Sequence, residues 1–105
     1  MEIIETSIFT RLINDLMGDD TYRMFQIELL TDPEKGSVIP GSGGLRKIRW
    51  RQESHGKRGG LRVIYYWAVS RRKIVMLYVF PKNVRGDLSK KQLRTLRQMV
   101  ESEFK

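Results

Sequence analysis

Cysteine is missing from this chain, and histidine occurs once, at His55. The first absence excludes disulfides, thiolate metal sites and cysteine nucleophiles, and it fits a reducing compartment. The second argues against a histidine-based metal centre or a Ser-His-Asp triad, although a site of Asp and Glu is not excluded by counting. There is no run of about 18 apolar residues that could span a bilayer as a helix. The N-terminus, MEIIETSIF, carries acids early and has no basic region, so it does not read as a signal peptide and a cytoplasmic location is expected. Acids are outnumbered, 12 against 20 Lys and Arg in 105 residues, giving a formal charge of +8 and a pI near 10.1. That balance points first to nucleic acid as a partner, and second to an anionic membrane surface or an acidic protein. The length is that of one domain, residues 1–105, and 40% apolar content supports one modest core.

What is present is unevenly spread. The stretch Gly41 to Tyr66, GSGGLRKIRWRQESHGKRGGLRVIYY, reads as two β-strands joined by a glycine-rich basic loop. Within it Arg46, Lys47, Arg49, Arg51, Lys57, Arg58 and Arg62, with His55 when protonated, are set against a single acid, Glu53. From Leu45 to Arg51 the residues alternate, which puts Ile48 and Trp50 toward the core and points Lys47 and Arg49 outward together, about 7 Å apart by the rise of a strand.

The remaining elements follow from spacing. Ile3 and Ile4 suggest a short first strand. Ile8, Phe9, Leu12, Ile13, Leu16 and Met17 recur at helical spacing, with Thr6 or Ser7 as cap and Gly18 as stop. A second helix from Asp19 or Asp20 carries Tyr22, Phe25 and Leu29 on its buried side, with Met24 beside them, and stops near Asp32 because Pro33 follows. Residues 33–44 read as a loop, ordered if Val38 and Ile39 tuck into the core. Leu61–Val69 and the wholly apolar Ile74–Phe80 read as strands, the latter covered on both faces, with Ser70, Arg71 and Arg72 turning between them. Ser89 and Gln92 have the spacing of a capping box for a last helix, whose stripe is Leu93, Leu96, Val100 and Phe104 with Met99 beside it. The order is β-α-α-β-β-β-α, an α+β domain with helices packed on a sheet.

Cations on neighbouring strands can hold phosphates, while bases of single-stranded RNA can stack on aromatic residues such as Tyr65, Tyr66 and Trp67. Tyr65 and Trp67 also read as core. RNA supplies its own nucleophile, the 2′-hydroxyl. Scission then needs an acceptor for that proton, positive charge on the crowded phosphate and help for the leaving oxygen. A lysine crowded by cations suits the first task, and arginine suits the second. Composition alone stops at a nucleic-acid-binding domain.

In these residues the chain resembles the RelE/ParE toxin superfamily, and most closely its HigB-type branch of host-inhibition toxins. The likeness runs nearly the whole length and rests on GSGGLRKIRW, GKRGGLRVIYYW, and YVFPKN followed by GDLS. It implies a RelE-like fold with a small, twisted, mainly antiparallel sheet. It also implies a toxin encoded beside an antitoxin, which binds the ribosomal decoding site and cuts translated mRNA through 2′-hydroxyl attack with neither metal nor cofactor. The antitoxin is expected to be a small helix-turn-helix protein that neutralises the toxin and represses their operon. By the resemblance, the catalytic cations fall on Lys47, Arg49, Lys57 and Arg62. RNA and ribosome contacts fall by the resemblance on Arg58, Lys82 and Arg85, and by their place among the basic strands Arg46 and Tyr66 are expected to join them. Asn83 stands where RelE has an arginine, which Arg85 could replace, and Asp87-Leu88 stands where RelE has a catalytic tyrosine.

Two other functions share these features: a gyrase-directed toxin of the ParE type on the same fold, and a nucleic-acid-binding regulator without toxicity. The dense cations of the middle strands argue against the first. Arg62, read as a cation on an open face with little packing, is expected to be dispensable for folding. His55 lies in a polar loop with only Glu53 near it in sequence.

Overall fold

The computed structural model describes residues 1–50, 60–82 and 87–104. These form β1 (Glu2–Glu5), α1 (Ser7–Leu16), α2 (Asp19–Thr31), β2 (Ser37–Val38), β3 (Leu45–Trp50), β4 (Leu61–Ala68), β5 (Lys73–Pro81) and α3 (Lys90–Glu103). The strands make one sheet in the order β1-β5-β4-β3-β2. β1 runs parallel to β5, and every other pair is antiparallel.

The first helix starts where the sheet lets it. Thr6 accepts the Phe9 amide at 3.2 Å as N-cap, and its hydroxyl donates to the Leu77 carbonyl at 3.1 Å, so one residue caps α1 and ties it to β5. Asp19 and Asp20 in the first turn of α2 suit the positive end of its dipole. α2 ends at Thr31, ahead of the Asp32-Pro33 pair. Phe9, Ile13, Phe25 and Leu29 bury against Ile48, Val63, Tyr65, Ile74 and Met76 on one face of the sheet. Trp50 packs edge-on to Phe25 with ring centroids 4.9 Å apart. Met24, placed by spacing beside this face, is 63% exposed instead. It stands about 100° round the helix from Phe25, on the side away from Leu29.

The opposite face is covered by α3. Leu96 and Val100 pack on Leu45, Ile64, Val75 and Leu77. The capping box forms: Ser89 Oγ accepts the Gln92 amide at 3.1 Å and Gln92 Oε1 accepts the Ser89 amide at 3.0 Å. β5 is therefore covered on both faces, as its unbroken apolar run implies. Its register with β4 slips between Ile64 and Tyr65, which leaves Leu77 unpaired, so that Leu77 and Tyr78 both join the α3-side cluster.

One strand was not legible. β2 has two residues, too few for any periodic signal, and it pairs with β3 through Ser37 opposite Lys47 and Val38 opposite Arg46. Ile39 reaches the α3-side cluster as expected, but Val38 is 51% exposed. Neighbours on a strand point to opposite faces, and at an edge strand only one of the two is covered. The preceding loop is pinned from below. Gly36 donates to the Tyr65 hydroxyl at 2.8 Å, and that hydroxyl donates to the Pro33 carbonyl at 2.8 Å. Among the described residues no helix is long and apolar enough to cross a membrane.

Candidate nucleic-acid interface

Strand alternation sends Lys47 and Arg49 to the α3 side of the sheet, where Leu45 is already covered and Arg49 remains exposed. β4 runs antiparallel beside them, with Ile64 opposite Lys47 and Arg62 opposite Arg49. Two guanidinium side chains thus leave neighbouring strands on one face, an arrangement that is unfavourable for like charges directly opposite. On its other side Arg62 is opposite Phe80 of β5. Lys82 joins the same end of the sheet, where its amide donates to the Gly60 carbonyl at 3.2 Å, and its side chain is exposed.

Arg62 does not lie on an open face: it is 7% exposed. Its strand runs between β3 and β5, so neighbours on both sides enclose the stem, which a reading of one strand at a time does not reveal. Burial, and then the charge of Arg49, lower its pKa from the usual arginine value, while Asp87 works the other way. The group stays charged in that setting.

Asp87 completes the cluster. Its Oδ2 lies 3.2 Å from Lys47 Nζ, and its Oδ1 accepts the Leu88 amide at 2.9 Å. Burial pushes this carboxyl upward. The Leu88 amide, the Lys47 ammonium and the Arg62 guanidinium outweigh that push and hold it below the ordinary carboxylate value. The family resemblance places Asp87 only where RelE has a tyrosine. A signal was available, because it is the sole acid between Glu53 and Glu101.

Not every candidate comes together. Arg46 faces the opposite way from Lys47, and its Nη1 donates to the Glu34 carbonyl at 3.2 Å and the Gly36 carbonyl at 2.7 Å, so it holds the loop before β2. Tyr66 is half-buried in the α3-side cluster opposite Leu45. It lies four residues, about 13 Å, along β4 from Arg62. Tyr65 is fully buried and Trp67 packs against the same core, which settles both as structural. Lys57, Arg58 and Arg85, with His55 and Asn83, lie outside the described residues. Among the described residues no group of three or more His, Asp or Glu is placed to hold a metal ion. An apolar hollow lined by Ile8, Tyr78, Leu88 and Met99 sits beside α3 and includes none of Lys47, Arg49 and Arg62.

The sheet and its three helices define a small α+β domain that gathers Lys47, Arg49 and Arg62 on one face. A family model for the RelE toxin of the RelE/RelB toxin-antitoxin system matches residues 27–105. Among solved structures the chain is similar to E. coli RelE in the free state, carrying two arginine-to-alanine substitutions, with a TM-score of 0.61 and 13% identity over 92% of this chain and 93% of that one. It is also similar to a chain of the intact E. coli RelBE toxin-antitoxin complex, with a TM-score of 0.56 and 16% identity over 73% of this chain and 90% of that one. At these identities the structures show a shared fold. The family match carries the rest: this chain belongs to the RelE toxin family and is the toxin of a type II toxin-antitoxin system. RelE is a ribosome-dependent mRNA interferase.

Proposed function

We propose that this toxin stops translation by cutting mRNA on the ribosome at a phosphate held by Arg62, Arg49 and Lys47, without a metal ion, and that it belongs to the HigB-type branch. The observation that carries this reading is the register of β3 and β4, which sets Arg49 opposite Arg62 with Lys47 two residues along on the same face. Packing does not call for this charge, since Arg62 is buried beside a like charge. GGLRKIR and GKRGGLRVIYY support the branch assignment.

The chemistry follows from what RNA brings. Attack of the 2′-hydroxyl on the adjacent phosphorus gathers negative charge on the non-bridging oxygens, and donors already in place stabilise it most. Arg62, held by β3 and β5 on either side, is the clamp for those oxygens, and Arg49 shares the charge. Lys47, with Lys57 of the basic loop, supplies the candidates for moving the 2′-hydroxyl proton. Arg58, Lys82 and Arg85 extend the contact along the strand and to ribosomal RNA. The toxin acts in the cytoplasm, and its antitoxin is a small helix-turn-helix protein; the E. coli structure contains toxin and antitoxin together in a RelBE complex.

The test is to induce the protein in cells and map mRNA 5′ ends, with Arg49→Ala and Arg62→Met as controls. Cuts confined to translated frames and lost in both controls are expected. Growth arrest with intact mRNA would overturn the reading and point to gyrase or to ribosome blockade.

A further inference from the structure

Asp87 is an acid in a place built from cations. Its carboxylate touches Lys47 at 3.2 Å and acts on Arg62, two of the three groups assigned above to the RNA phosphate. The hold is light. The Asp87 side chain is 62% exposed and that of Lys47 35%, and an open lysine-carboxylate pair contributes little in water. The Leu88 amide orients the carboxylate through Oδ1 and leaves Oδ2 for the lysine. The phosphodiester of RNA offers two charged non-bridging oxygens, as the carboxylate does, so it can take the same place on the lysine and pair bidentately with the guanidinium.

We propose that Asp87 is an internal counter-ion that stands in for RNA phosphate on Lys47 and beside Arg62, so that RNA gains these cations by exchange with it. This rests on the reading of the basic face as an RNA site. Loose single strands must displace the carboxylate with their own affinity. A strand positioned by other contacts meets the same cost at a high effective concentration, which offsets it and keeps the cations occupied. Asp87 is thereby a specificity residue: it weakens the site for stray RNA and reserves it for RNA presented in place. The opposite role, a carboxylate that stays to orient Lys47 when RNA is bound, makes the opposite prediction.

The experiment measures binding of a short single-stranded 2′-O-methyl RNA, which lacks the nucleophile and is not cut, to the wild type, Asp87→Asn and Arg49→Ala by fluorescence anisotropy. Asn keeps an acceptor for the Leu88 amide, so the start of α3 is retained, and an unchanged unfolding midpoint checks this. If the Asn variant unfolds early, Asp87→Ser offers the same amide an acceptor and gives the same reading. The variant lacking the charge is expected to bind roughly three- to tenfold more tightly than the wild type at low salt. The gain should shrink as salt is added. Equal or weaker binding by the variant, with wild-type binding intact and Arg49→Ala impaired, overturns the proposal and leaves the RNA site standing. Binding too weak to separate all three proteins would overturn the RNA site itself, and the exchange with it.

Discussion

Arg62 shows how a single residue can carry opposing demands. Burying a guanidinium is costly, and setting it opposite Arg49 adds like-charge repulsion, yet the chain keeps both. Residues whose environment works against their charge are candidates for function. The two demands separate by substitution. Arg62→Met keeps the stem and removes the charge, so its stability in urea should match the wild type within about 1 kcal/mol, whereas Arg62→Ala should lose about 1–2 kcal/mol through packing. Both should abolish mRNA cleavage. Parallel losses of stability in the two variants would mean that the charge, rather than the stem, holds this end of β4.

The loop before β2 shows how one element places the site. Tyr65 from β4 and Arg46 from β3 hold residues 33–36 from the face opposite the cations. A Cβ at Gly36 would lie 2.8 Å from the Tyr65 ring and hydroxyl and 3.0 Å from the Lys47 carbonyl. Neither a buried ring nor a strand carbonyl yields cheaply, so Gly36→Ala should cost about 1–3 kcal/mol. Tyr65→Phe leaves the buried Gly36 amide without its hydroxyl partner and should cost a similar amount, about 1–3 kcal/mol. Denaturant melts check both. Gly36→Ala should also lower cleavage, because its strain falls on the backbone of Lys47; Tyr65→Phe, which adds no atoms against that strand, should lower it less.

At the scale of the molecule, charge is segregated along the chain and therefore across the fold. The first 36 residues carry eight acids and three bases, and the rest carries four acids and seventeen bases. The first group builds β1, α1 and α2, while the second builds the strands and helix around the cationic face. The RNA of the proposed function would thus be drawn to one side. Binding of single-stranded RNA should fall steeply with salt, and Arg49→Ala should flatten the slope of log affinity against log salt by about 0.7, the increment for one phosphate contact on a single strand. Arg23→Ala, on the exposed side of α2, should leave the slope unchanged.

Much of this was legible in the residues. Apolar spacing placed both N-terminal helices, Pro33 stopped the second, Ser89 and Gln92 marked the last, and the order of long elements followed, because these signals are local and each is read within a turn or two of chain. Alternation alone put Lys47 and Arg49 on one side of their strand and Ile48 and Trp50 on the other. Contacts distant in sequence were not legible. β2 was too short to announce itself, the slip at Leu77 was hidden in a run apolar at every position, and Arg46, one more cation in a basic strand, proved to serve a loop. The pairing of β3 with β4 brought Arg49 against Arg62, and the return of the chain after β5 brought Asp87 onto Lys47, forty residues away. By itself the sequence determined which elements form and that the chain carries a large excess of positive charge, since periodicity and net charge are properties of the chain. Only the tertiary structure decided which cations share a face and which acid sits among them, since register and long-range return are settled by the packing of strands on one another.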